Sequence, residues 1–72
     1  MDEVQCKAVL RMLKIGEKIK ESWFLHQRGI SLSELDSLVE MGYLIKHPRV
    51  ANDFLSDNCY SLTSWGRQYA WE

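Results

Sequence analysis

No apolar run in this 72-residue chain approaches the roughly 18 to 20 residues needed to cross a bilayer. Its start, Met1-Asp2-Glu3-Val4, is acidic where a signal peptide is basic, so a cytoplasmic protein with no membrane partner is expected. The two cysteines, Cys6 and Cys59, stand 53 positions apart with no C-x-x-C spacing, which excludes a local zinc or redox motif. Both are expected to be small buried thiols. Net charge is also nearly absent: nine Lys and Arg against ten Asp and Glu leave −1, so the whole molecule exerts no general pull on nucleic acid or anionic lipid. Any basic site must therefore come from local patterning. Phosphate-loop, metal and nucleophile motifs are missing too, and so are repeats and low-complexity tracts. A binding protein is expected, neither an enzyme nor the holder of a cofactor.

What the chain does have is bulk. Three Trp, three Tyr and two Phe within a hydrophobic fraction of 46% suit one small folded domain over residues 1–72. The spacing of Cys6, Val9, Leu10 and Leu13 predicts a first helix over about 4–15, with Gly16 as its stop. Lys7, Arg11 and Lys14 line a second face of that helix, and Val4, Ala8, Met12 and Ile15 a third. Such a helix needs two partners, and the second is either the C-terminal segment or another copy of the chain. Ile19, Trp23 and His26 predict a second helix over about 18–28, closed by Gly29, with His26 partly buried. Ser31-Leu32-Ser33-Glu34 reads as a capping box, and Ile30 with Leu35 as a hydrophobic staple. The third helix is placed at about 32–41, with Leu32, Leu35, Leu38 and Val39 inward and Gly42 as its stop. Strands follow at about 43–47 and 59–63, joined by a long loop from Pro48 to Asn58. Thr63 or Ser64 caps a last helical turn in which Trp65 and Tyr69 stack at i, i+4.

Helices in this order, with an abrupt turn before the third and a hairpin after it, bring two segments into view. Leu32-Ser-Glu-Leu35-Asp-Ser-Leu38-Val-Glu-Met-Gly42-Tyr-Leu44-Ile45 resembles the third helix and following turn of small bacterial and phage winged helix-turn-helix regulators. Tyr60-Ser-Leu62-Thr63-Ser-Trp-Gly66-Arg67 resembles the strand that closes their wing and leads into a final helix. The resemblance covers about half of the chain and implies an α+β fold, mostly α, with a two-stranded wing. It also implies duplex DNA as the partner, with the third helix in the major groove and the wing against the backbone. Transcription regulation is the implied role, and the small footprint of one such module points to a dimer on two half-sites. A minority of such domains bind protein instead.

Charge divides the candidate residues between these two readings. From Ser31 to Leu44 the chain carries Glu34, Asp36 and Glu40 and no Lys or Arg, and phosphates repel such a segment. Ser33, Ser37 and Glu40 form the centre of its exposed face, where serines can approach base edges and a glutamate can accept from a cytosine amino group. Lys14, Lys18, Lys20 and Arg28 flank the second helix, and Lys46, His47 and Arg49 sit at the wing base. These seven are the expected phosphate contacts. In the alternative reading, Glu34, Asp36 and Glu40 face a basic protein partner, anchored by Phe54 and Leu55 from the loop. Neither His26 nor His47 has a second ligand at helical spacing, so no metal is expected. Trp23, Trp65 and Trp71 are expected to pack, because no cations interleave with them as in a single-strand binder.

Overall fold

Asp2 opens the first helix, α1 (Glu3–Arg11), by accepting the Gln5 amide on its carboxylate at 2.7 Å. In this computed structural model, which describes residues 2–49 and 57–72, α1 ends earlier than the apolar spacing predicts. Its last turn tightens, Met12 N–H donating to Val9 O and Leu13 N–H to Leu10 O, both at 3.1 Å. The cause is tertiary. Ile15 forms a parallel bridge to Leu62, Gly16 N–H donates to Leu62 O at 3.3 Å, and Leu13 turns into the core. Gly16, at φ +81°, belongs to this turn and not to a helix end.

The second predicted helix is also revised. Ile19–Lys20 is a strand, β1, paired antiparallel with β3 (Cys59–Leu62) through Ile19 to Tyr60 and Lys20 to Cys59. Winding starts only at Glu21 and widens into a π-helical turn over Trp23–Gln27. The wider turn changes which side chains face inward. Phe24 is fully buried, set edge-on between Trp23 and Tyr60 at 4.9 and 5.7 Å, whereas His26 is exposed and Ile19 and Trp23 are half-buried.

The next helix, α2 (Leu32–Glu40), lies close to its predicted bounds because local chemistry fixes both ends. Ile30 N–H donates to Phe24 O at 2.9 Å, and Ile30 and Leu35 are both buried, as a staple requires. At the far end Gly42, at φ +83°, donates to Val39 O, and Tyr43 N–H reaches back to Leu38 O. This pair of bonds satisfies carbonyls that the helix leaves open. Leu35 and Leu38 face inward and Val39 is half-buried, but Leu32, expected inward, is half exposed.

β2 (Leu44–His47) pairs antiparallel with β3 from Leu44 opposite Leu62 to His47 opposite Cys59. The sheet therefore has three strands, in the order β1-β3-β2, where two were expected. Thr63 leaves the strand to cap α3 (Ser64–Ala70), accepting the Gly66 amide at 2.9 Å and donating to Gly42 O at 2.6 Å. Tyr69 stacks on Tyr43, 4.3 Å between centroids and 7° from parallel, while Trp65, its expected partner, is exposed. Among the described residues the architecture is α+β: helices at both ends and in the middle around one antiparallel sheet. Cys6 is buried as expected and Cys59 only half so.

Candidate nucleic-acid interface

Two surfaces carry the side chains that chemistry singles out, and α2 is the first. Ser31 Oγ accepts the Glu34 amide at 3.2 Å, and the Glu34 carboxylate accepts from the Ser31 hydroxyl at 2.9 Å and the Ser31 amide at 3.4 Å. The Ser31 hydroxyl holds the Glu34 carboxyl below its ordinary range. Ser33, Asp36, Ser37 and Glu40 are exposed. Ser37 donates its hydroxyl to Ser33 O at 3.0 Å, so what it offers outward is lone pairs. With the two carboxylates beside it, this face is dominated by acceptors. In a major groove its matching groups are the amino donors of cytosine and adenine, and on a protein they are Lys, Arg or free amides.

The second surface is the end of the sheet where β2 stops and β3 begins. Across the three strands Lys20, Cys59 and His47 stand in one row, which puts their side chains on one face. Lys46, opposite Tyr60, is exposed on the other face, Lys18 precedes β1 and is exposed, and Arg49 follows β2. Asn58 holds this end together. Its side-chain oxygen accepts the Arg49 amide at 2.9 Å, its backbone oxygen accepts the Glu21 amide at 2.9 Å, and its amide group donates to Glu21 Oε2 at 3.3 Å. Tyr60 donates its hydroxyl to the same Glu21 oxygen at 3.0 Å. Burial and this neighbouring carboxylate push the Tyr60 phenol up to about 12. His47 Nε2 and Ser61 Oγ lie 2.8 Å apart, a serine–histidine contact like that of an activated nucleophile. Ser61 is only 3% exposed, so the contact orients the ring.

Of the expected phosphate contacts, Lys20, Lys46, His47 and Arg49 thus belong to the end of the sheet where β3 starts, Lys18 lies on the far side of Ile19, and the remaining two are engaged elsewhere. Arg28 turns to its own helix, its guanidinium 5.5 Å from the centre of the Trp23 ring and 3.7 Å from Met12 Sδ. Lys14 joins Arg11, Arg67 and Trp71 around a cleft of about 310 Å³ between the end of α1 and α3. Phe54 and Leu55 lie outside the described residues.

The sequence reading missed the cleft residues Arg11, Arg67 and Trp71, and also the Glu21, Asn58 and Tyr60 clamp. Nothing in the spacing of these residues announces contacts that span the length of the chain. A second cleft, of about 370 Å³, opens at the other end of α1 and carries Asp2, Glu3 and Glu34 on its rim. Among the described residues no three His, Cys, Asp or Glu gather to hold a metal ion, and no helix is long and apolar enough to cross a membrane. Comparison of the chain with known protein families, with curated proteins and with solved structures finds no match.

Proposed function

We propose that this chain is a small winged-helix protein that binds duplex DNA and regulates transcription or a related DNA transaction. The observation that carries the reading is the relation between α2 and the sheet. A capped helix follows an abrupt turn and leads straight into an antiparallel pair, and Lys20, Lys46 and Arg49 stand at the end of the sheet where β3 begins, with Lys18 two residues before Lys20. Those cations supply the phosphate contacts, and α2 offers Ser33, Ser37 and Glu40 to base edges. Because a single module of this size covers only about 600 to 1,000 Å² of DNA surface, a pair of copies on two half-sites is the proposed working unit.

One observation favours a second reading. α2 and its flanks carry no cation, so the acceptor-rich face of Asp36, Ser37 and Glu40 also fits a basic protein partner. Fluorescence anisotropy of a labelled random duplex, titrated across a salt series, separates the two. The DNA reading expects weak binding whose log affinity falls with log salt. It also expects Lys46→Ala/Arg49→Ala to weaken binding to every sequence and flatten the slope. Absence of binding at low salt turns the assignment to the protein partner.

A further inference from the structure

The two clefts at the ends of α1 are opposite in charge. At its N-terminal end Asp2, Glu3 and Glu34 rim a cleft floored by Cys6, Leu38 and Tyr69, with Glu3 in an ion pair with Lys7 at 3.3 Å and Met41 at the edge, 58% exposed. At its C-terminal end Arg11, Lys14 and Arg67 surround Leu13, Ile15 and Trp71, the last 64% exposed, and no acidic side chain lines this cleft. α3 lies across both, giving Tyr69 to the first and Arg67 and Trp71 to the second. The nine residues of α1 rise only about 14 Å, so the two clefts are the two ends of one short rod.

The basic cleft is built before anything binds. Arg11 Nε donates to Ala70 O at 2.6 Å, and its guanidinium lies 5.0 Å from the centre of the Trp71 ring. With Nε engaged and the plane held against an indole, the two terminal nitrogens present a fixed fork, which suits a carboxylate. Lys14 and Arg67 are exposed on either side. Of the two acidic surfaces in this chain, the opposite end of α1 is the one that sets carboxylates around a cleft with an exposed Met41 at its edge. A methionine against the Trp71 indole adds a favourable sulfur–aromatic contact.

We propose that the Arg11, Lys14 and Arg67 cleft receives the acidic end of a second copy of this chain, giving a head-to-tail contact. A contact between two different surfaces leaves one of each free on every pair, so it extends to further copies unless the rotation closes a ring. The proposal rests on the clefts and their charge and is independent of DNA binding.

Sedimentation velocity of the protein alone, over a concentration series at about 20 and about 300 mM salt, tests it. The expected result is reversible association at low salt, weakened about tenfold or more at high salt as the Debye length contracts. Lys14→Glu/Arg67→Glu reverses the basic cleft, and Glu3→Lys/Ser37→Arg reverses the acidic end while sparing the caps at Asp2 and Ser31. Each variant alone is expected to sediment as a monomer with an unchanged circular dichroism spectrum, and an equal mixture of the two is expected to associate again. A wild-type protein that stays monomeric at low salt overturns the proposal. So does association that persists in both variants, which would move the contact to the exposed Val4, Met12 and Ile15 face. A mixture that fails to associate while both variants remain folded overturns it as well.

Discussion

Tyr60 reaches Glu21 across 39 positions of sequence, donating its hydroxyl to the carboxylate at 3.0 Å from a side chain that is otherwise fully buried. Asn58 completes the arrangement by donating to the same oxygen and accepting the Arg49 and Glu21 amides. The strand β3, the residue that starts the second helical segment and the second residue beyond β2 are therefore tied at one point. That tie fixes the ends of the three strands relative to one another where Lys20 and Arg49 stand.

Tyr60→Phe removes the hydroxyl from a charged acceptor and is expected to destabilise the fold by about 2 kcal/mol. Urea denaturation followed by tryptophan fluorescence measures the loss. Amide hydrogen exchange at Glu21 and Arg49 should accelerate beyond the global change, because both bonds to Asn58 depend on the same carboxylate.

Alkaline pH acts through the same residue. The Tyr60 phenol is raised from its ordinary 10 to about 12 in the fold, so the folded state holds its proton more tightly than the unfolded chain. The resulting stability is fully present below pH 10 and is lost as pH rises toward 12. Denaturation midpoints between pH 8 and pH 12 should fall across that window. In Tyr60→Phe the fall should be smaller, and what remains belongs to Tyr69 and Cys6, which burial also raises.

Gly66 is expected to be the least replaceable glycine. A Cβ there runs into the Tyr43 carbonyl oxygen and lies 2.9 Å from Leu62 Cδ1, in the joint where α3 meets the end of α2. Gly66→Ala should cost about 3 kcal/mol, because the contact is with backbone that cannot yield. Gly42→Ala meets only Trp65 Cδ1 at 3.7 Å and is disfavoured by its φ of +83°, which costs about 1 kcal/mol. Thermal melts of the two variants should keep this order.

What the sequence made legible was chemistry with local causes. The Ser31 and Glu34 box, the Ile30 and Leu35 staple and the Gly42 stop act within a few residues, and α2 lies where they place it. The elements that moved were decided at long range. Ile19 and Lys20 fit a helical stripe, but β3 had a free edge, and pairing with Tyr60 and Cys59 satisfied backbone groups on both strands. Ile15 left α1 for the same strand. At the candidate interface, pairing of β1 and β2 with β3 put Lys20 and His47 on either side of Cys59. Lys14 and Arg28 departed because Arg11, Trp71, Trp23 and Met12 lie nearer to them in space than any spacing rule conveys.

The two thiols should separate by rate. Cys6 is 7% exposed and burial pushes its thiol up, whereas Cys59 is half-buried on the outer face of β3. A disulfide reagent such as dithiobisnitrobenzoate should give one fast and one slow phase in the native protein. Cys59→Ser should remove the fast phase, and denaturant should merge the two in the wild type.

The most direct test of the DNA reading is a two-dimensional amide NMR titration of the protein with an unlabelled random duplex at low salt. Shifts confined to residues 18–22, 32–40 and 46–49, and reversed by added salt, are the expected result. An unchanged spectrum, or shifts confined to 11–15 and 67–71, would contradict it and leave α2 as a surface for a protein partner.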